Sequence, residues 1–283
     1  MKAAKFKYVA PRSLEEALGH LGSDPDAKVL SGGQSLMPLL AMRLAAPSVL
    51  VDLQHVPGLN AIEDIDNAVR IGARVTHRAV EHSELVARRV PILSLAARHI
   101  AHPQIRSRGT FGGSTAHADP SGEWPTVLLA VGATMHLQGA AGRRDVHADD
   151  FFVGPFTSSM EPAEILTQVS VPATWDRWSF QEAAVKAGDY GLALVAAVAS
   201  VENDTITDAR VSVGAAVGSV TRLREVEQLL IGAAPDLNTA ERAARVATDS
   251  VKPISDIHGS SDYRRNLVGS LVKRAIVELK NGA

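Results

Sequence analysis

The sequence predicts an α+β protein of two domains: residues 1–175, themselves divided near residue 57 into parts 1–57 and 58–175, and residues 176–283. Three observations carry this reading. A strand–loop–helix–strand unit spans roughly 27–53, the order that makes a parallel pair. Short strands separated by turns fill 133–175 and end at Val171-Pro172-Ala173, which reads as a boundary. Beyond it, two strand-like runs precede three helices, an order that fits an antiparallel sheet backed by helices.

Taken in order, Phe6 to Val9 reads as a short strand. Ser13 caps a helix through about Leu21, with Glu16 at the capping-box position. Ala27 to Leu30 is a strand running into Ser31-Gly32-Gly33-Gln34-Ser35. Leu36, Leu39, Leu40 and Leu44 then recur at helical spacing, with Pro38 tolerated in the first turn. Ser48 to Leu53, Leu59 to Ile65 and Val69 to Ile71 read as strands, and Thr76 caps a helix begun at His77. Pro91 opens an apolar helix, Ile92 to Ile100, closed by His102-Pro103.

A second glycine-bearing loop, Arg108 to Pro120, leads to a helix over Glu123 to Val131. Ala133 to Gln138 and Ile165 to Val171 are strands, with a turn at Gly139 to Gly142. Asp189 to Val201 and Thr205 to Val217 flank Asn203-Asp204, a hairpin turn. The last three helices run from about 222 to 231, from an N-cap at Asn238 with Glu241 three residues on, and from Ser261 to about Lys280.

Lys+Arg 29 balance Asp+Glu 31, and no basic block appears, so the charge pattern supports neither nucleic acid nor a membrane surface as partner. With no cysteine, the chain cannot ligate an iron–sulfur cluster or a thiolate zinc site itself. The longest apolar run, Leu192 to Ala199, is far short of a membrane span, and Met1 to Phe6 has no apolar signal core. A cytoplasmic location is therefore expected.

The two Gly-Gly loops are the chemical signal. Each sets paired glycines among hydroxyl side chains ahead of a helical segment, so backbone N–H groups can approach an anion closely. Two such loops suit a diphosphate. Neither matches a P-loop or a dinucleotide fingerprint. Asp119 and Glu123, one helical turn apart, can meet sugar or ribityl hydroxyls or complement the helix N-terminus. Lys186-Ala187-Gly188-Asp189-Tyr190 is a turn carrying a cation and an aromatic ring. His99, His102, His117 and Asp119 could be read as metal ligands, with His99 and His102 at the i, i+3 spacing some sites use, but Pro103 breaks any helix there and no H-E-x-x-H or comparable constellation is present. No nucleophile elbow is present, so no metal site and no catalytic side chain is assigned.

Taken together, Ser31 to Leu36, Met42-Arg43-Leu44, Gly72-Ala73, Pro103 to Arg106, Gly109 to Ser114, Ala118-Asp119-Pro120 and Lys186 to Tyr190 closely resemble the FAD-binding medium subunit of molybdenum hydroxylases, the xanthine dehydrogenase and carbon monoxide dehydrogenase family. The resemblance covers essentially the whole chain. It implies an FAD domain of the vanillyl-alcohol-oxidase (PCMH) type in two subdomains, then a carbon monoxide dehydrogenase flavoprotein C-terminal domain.

It also implies that Ser31, Gly32, Gly33, Gln34 and Ser35, with Thr110, Phe111, Gly112, Gly113 and Ser114, cradle the FAD diphosphate. Glu123 matches an acidic position that contacts the cofactor, Ile100 and Leu166 match apolar positions beside it, Tyr190 falls where an aromatic residue approaches the isoalloxazine, and Asp119 and Lys186 are counted with them as cofactor-binding. Phe111 stands where Ile or Leu is usual, Ser114 where Asn is common, and Glu182 where lysine often sits.

The implied role is electron transfer. A large subunit with a molybdopterin-type cofactor hydroxylates the substrate, a small subunit's [2Fe-2S] clusters pass the electrons to FAD here, and an external acceptor removes them, in a dimer of heterotrimers. Alternatives are a self-sufficient FAD oxidase and a non-enzymatic diphosphate-binding module.

Overall fold

The computed structural model describes residues 2–280; residue 1 and residues 281–283, the outer ends of the two predicted domains, lie outside them. The first sheet contains β1 (Lys7–Val9), β2 (Lys28–Leu30) and β3 (Val49–Asp52), all parallel, with β3 in the middle. Its core is made by Ala17 and Leu21 of the helix Leu14–Ser23 against Val51 and Leu53. Ser13 accepts from the Glu16 N–H at 3.1 Å, and the Glu16 carboxylate accepts from the Arg12 N–H, so the predicted cap forms.

The second sheet is antiparallel. Its strands are β4 (Ile62–Ile65), β5 (Ala68–Gly72), β6 (Thr134–Gly139), β7 (Gly142–His147) and, beyond a two-stranded ribbon of β8 (Phe152–Gly154) and β9 (Thr157–Ser158), β10 (Ile165–Pro172). They lie in the order β4-β5-β10-β6-β7. Val169, Val171, Met135 and Leu137 point inward, where they meet the helices Pro91–Ala97 and Glu123–Val131.

The third sheet, also antiparallel, runs β11 (Arg177–Ala184), β12 (Gly191–Glu202), β13 (Thr205–Gly214) and β14 (Thr221–Arg222). The helices Arg224–Leu230 and Ser261–Leu279 pack on one face, and Leu237–Ser250 packs against both of them. The other face turns Phe180, Leu194, Ala196 and Val198 into the core of the second sheet. The helix Glu123–Val131 is thus covered from both sides, and Trp124 to Val131 are all buried. That explains why this segment is apolar all round rather than striped. Asn203 and Asp204 both take left-handed backbone, φ +50 and +62, as a two-residue hairpin requires.

Several local expectations are corrected. The helix after the first glycine loop stops at Ala41; Arg43 turns left-handed and Leu44 is 71% exposed, so its helical spacing is coincidental. The helix opened by Pro91 ends at Ala97, ahead of Ile100. The helix expected from Asn238 begins at Leu237, because Asp236 captures the Thr239 N–H at 2.8 Å. The second glycine pair lies inside a helix, Phe111–His117, rather than in a loop. Strand β11 escaped the pattern reading because its two faces meet different partners, which erases apolar–polar alternation.

Candidate cofactor-binding site

From β2 the chain passes through Ser31–Ser35 into the helix Leu36–Ala41. Gly33 is left-handed, φ +72, and an added Cβ would press on Met37 and Leu30 at 3.2 and 3.3 Å. Among the described residues, the backbone N–H groups of Gly32, Gly33, Gln34 and Ser35 donate to no protein acceptor. Four successive half-buried or exposed amides without partners are the backbone chemistry that takes an anion.

The second glycine pair works differently. Thr110 N-caps its helix, accepting from the Gly113 N–H at 3.2 Å; the Phe111, Gly112 and Ser114 N–H groups donate to Val75, Ala73 and Thr110 carbonyls. These amides are already satisfied. The expectation that both loops offer free N–H groups therefore holds only for the first; the second presents hydroxyls, with Ser114 Oγ lacking a protein partner among the described residues. Phe111 is fully buried edge-on to Trp124, 4.9 Å between ring centres, so its ring supports the core. Gly112 is needed because a Cβ would meet Ala73 at 2.4 Å.

The two segments meet. Ser31 Oγ and Thr110 Oγ1 share a 2.9 Å hydrogen bond across 79 positions of sequence. A Cβ on Gly32 would lie 2.4 Å from the Arg108 carbonyl oxygen and 2.8 Å from Gly109 Cα, so the two backbones touch there. Gly32 serves packing of one loop on the other, which a spacing argument cannot reveal.

His77, which the sequence reading used only as a helix start, fixes the second loop. Its N–H donates to the Gly109 carbonyl, its ring lies against Gly109, and its Nδ1 accepts from Trp124 Nε1 at 2.9 Å. Burial, then the Arg106 charge, depresses it to about 4, so it is neutral. Thr76-His77 was visible as a cap; the pairing with Trp124 was not.

The helix Phe111–His117 ends at Ala118, left-handed at φ +51, and Asp119 follows, accepting from the Ser121 N–H at 2.9 Å. Glu123 opens the next helix. Its carboxyl is pushed up to about 8, first by burial and then by the charges of Glu182 and Asp119, against the pull of its helix-end backbone N–H. Tyr190 shows 73% of its surface, yet its hydroxyl lies in a crowded place; that crowding, then the Asp119 and Glu123 charges, raises the phenol. Lys186 points outward and pairs with Asp189 at 3.8 Å. Gly188, φ +84, rests on His102 so closely that a Cβ would lie 2.4 Å from the ring.

Ile100 and Leu166 are both buried. Leu166 precedes Thr167, whose carbonyl holds the Ala73 N–H at 2.8 Å, and Ala73 in turn carries Gly112. The histidines considered as ligands do not gather: His99 meets Glu182 and Phe180, while His117 stacks on Phe156. Among the described residues, no group of three or more metal-ligating side chains assembles.

One serine does meet a histidine and an aspartate. Ser170 Oγ and Asp145 Oδ1 each lie 2.7 Å from His136. This is a cross-strand ladder, not a nucleophilic site: β10 is bonded to strands on both sides, so its amides cannot form an oxyanion hole.

A dinucleotide such as FAD requires donors for its diphosphate, and the free amides of Gly32–Ser35 beside the Thr110 and Ser114 hydroxyls supply that chemistry. Comparison with known proteins agrees with the fit. Residues 4–174 match the family described as FAD binding domain in molybdopterin dehydrogenase, and residues 178–279 match the CO dehydrogenase flavoprotein C-terminal domain. The chain is 47% identical over 278 residues to the nicotine 6-hydroxylase medium subunit of Paenarthrobacter nicotinovorans, covering 98% of each. It is 36% identical to the carbon monoxide dehydrogenase medium chain of Hydrogenophaga pseudoflava, covering 96% of each.

Among solved structures, quinoline 2-oxidoreductase from Pseudomonas putida 86 superposes with a TM-score of 0.96 at 41% identity, covering 100% of this chain and 99% of that one. Carbon monoxide dehydrogenase from Hydrogenophaga pseudoflava gives 0.97 at 35%, covering both chains fully. The chain thus belongs to the molybdopterin-dehydrogenase FAD-binding family, as the FAD-binding medium subunit of a multi-subunit molybdenum hydroxylase.

Proposed function

We propose that this chain is the flavin station of a heterotrimeric hydroxylase. A large subunit hydroxylates the substrate at a molybdopterin-type centre, a small subunit carries the electrons through [2Fe-2S] clusters, and the FAD held here passes them to an external acceptor. FAD, when bound, supplies the ability to take electrons singly and release them singly or in pairs. This chain's residues do the holding: Gly32–Ser35 amides and Thr110 and Ser114 hydroxyls grip the diphosphate, and Ile100 and Leu166 wall the site. Tyr190, beside Asp119 and Glu123, controls approach to the ring.

The observation that carries the reading is the contact between Gly32 and the Arg108–Thr110 backbone, which makes one cradle of two distant segments. A dimer of heterotrimers, a cytoplasmic location and a division of the chain near residue 175 belong to the same proposal. Two relatives are named for nicotine and for quinoline, which supports a nitrogen heteroaromatic as substrate of the complex.

Purification of the native complex tests this. One large and one small chain should accompany this one, with molybdenum, iron and one FAD, and the flavin should bleach when such a heterocycle is added without oxygen. A chain that purifies alone and is bleached directly by its own substrate would establish a self-sufficient oxidase instead.

A further inference from the structure

Arg264 lies in the first turn of the helix Ser261–Leu279 and is 3% exposed. A cation there opposes the helix dipole, so the helix itself does not call for an arginine. Its guanidinium reaches instead to the third sheet. Nη1 donates to the Leu192 carbonyl at 2.9 Å and to the Ala215 carbonyl at 3.0 Å, and Nη2 donates to Asp256 Oδ2 at 2.6 Å. Asp256 is itself fixed, accepting through Oδ1 from the His258 N–H at 2.8 Å and the Gly259 N–H at 3.1 Å.

The two carbonyls fall to the arginine because the strand ladder ends beside them. Strands β12 and β13 pair as far as Leu194 opposite Gly214. Ala215 then turns left-handed, φ +60, and gives its N–H to the Pro120 carbonyl at 2.7 Å. A planar fork can serve both carbonyls and the carboxylate together, which the single ammonium of a lysine cannot do from this position.

Each carbonyl belongs to backbone that leads into the cofactor site. Leu192 comes two residues after Tyr190. Two residues before Tyr190, Gly188 rests on His102, where a Cβ would lie 2.4 Å from the ring and 3.0 Å from the Ala101 carbonyl oxygen. The exposed tyrosine is therefore fastened on both sides, by packing before it and by the arginine after it. Ala215 is one hydrogen bond away from Pro120, the neighbour of Asp119. Gly214 is pressed so closely on the helix Glu123–Val131 that a Cβ would lie 2.2 Å from Thr126 Oγ1. One nitrogen of Arg264 thus ties the backbone that carries Tyr190 to the backbone that carries Asp119.

We propose that Arg264 is a positioning residue for the flavin: through Leu192 and Ala215 it sets where Tyr190 stands relative to the Asp119-Pro120 turn, and so how much of the ring an external acceptor can reach. The last helix of the chain takes part in this way in access to a cofactor gripped at the other end of the molecule's sequence. The role rests on the placement of Tyr190 at the flavin proposed above, so its test reads the backbone and the flavin separately.

The full chain loaded with FAD is followed by amide exchange and by iodide quenching of flavin fluorescence, neither of which needs turnover. Arg264→Met should speed exchange about ten-fold over residues 189–192 and at Ala215, with residues 134–139 of β6 unchanged. It should also raise the iodide quenching constant several-fold at equal FAD content. Arg264→Lys, which can still reach one carbonyl, should restore both in part. Asp256→Asn leaves the arginine in place with a weaker anchor and should shift both readouts in the same direction, which keeps the test decisive where Arg264→Met does not fold. In a Tyr190→Ala background, Arg264→Lys should add nothing to quenching, because the ring it positions is gone.

Unchanged exchange over residues 189–192 and at Ala215 in Arg264→Lys and Asp256→Asn would overturn the inference. So would an equal further rise in quenching when Arg264→Lys is placed on Tyr190→Ala. Faster exchange in those variants, with Tyr190→Ala alone leaving quenching unchanged, would support the clamp and overturn the placement of Tyr190 at the flavin.

Discussion

A single methyl group at Gly32 has nowhere to go, because it would lie 2.4 Å from a backbone oxygen that cannot swing away. Gly32→Ala should therefore separate the two loops, cost about 1–3 kcal/mol as an overpacked site, and yield protein with little FAD, read from flavin absorbance per chain. Gly19→Ala is the matched control. Its Cβ meets nothing within 4 Å in a helix interior, so FAD content should be unchanged and stability should rise by up to about 1 kcal/mol.

Thr110→Val keeps the shape and removes the hydroxyl that caps Gly113 and meets Ser31. Loss of the cap alone should lower stability by about 0.5–2 kcal/mol, with FAD dissociation faster at equal fold content. If Thr110→Val held FAD as tightly as wild type, the hydroxyl pair would be structural only. At this scale the sequence exposed the glycines and hydroxyls, yet not their division of labour. Gly33 serves backbone conformation, Gly32 loop contact and Gly112 packing on Ala73, distinctions that depend on what lies opposite each one.

Among elements, the short helix Ala148–Phe151 is tied to the third sheet by one carboxylate. Asp149 accepts from Arg210 at 2.7 Å, Arg222 at 3.1 Å and Arg224 at 3.0 Å. Burial alone would raise it, but hydrogen bonds and charge from Arg210 and Arg222 outweigh that and hold it below the ordinary carboxylate range. A depressed native value means its stabilisation is complete above the unfolded pKa and is lost as pH falls through the folded one.

Asp149→Asn should therefore lower Tm at pH 7, by an amount corresponding to at most about 3–5 kcal/mol for stranding half-buried arginines. It should also shrink the Tm drop seen on acidification below about pH 4. An unchanged acid limb would show that the knot carries no net stabilisation. Elements with strong caps or a continuous apolar run, such as Leu14–Ser23 and Glu123–Val131, were legible in advance. Of the helices of four to six residues, Pro103–Arg106 and Glu84–Arg89 were not, because one turn is too short to display a period, whereas His77–His82 was marked by its Thr76 cap.

For the whole molecule, the buried carboxyls give the opposite pH dependence. Glu123 and Glu182 bind protons more tightly in the native chain than unfolded, so stability falls as pH rises from about 4.5, their ordinary value, toward about 8. Glu182→Gln should flatten that decline, so the variant gains on wild type at pH 9 relative to pH 5 in thermal melts. A parallel shift at both pH values would contradict the assignment. The three-sheet arrangement was readable only in part. The parallel unit and the hairpin at Asn203-Asp204 follow from local pattern, but the face of β11, β12 and β13 that covers the helix Glu123–Val131 is a long-range fact. Glu182 looked like a departure in a basic stretch, and only the fold shows it buried beside His99.

The most direct test of the central claim is a structure of the full chain with FAD bound. The account predicts diphosphate oxygens about 3 Å from the amide nitrogens of Gly32 to Ser35, with the Thr110 and Ser114 hydroxyls on the same group. A fully occupied FAD whose diphosphate lies elsewhere, leaving those four amides bare, would contradict it.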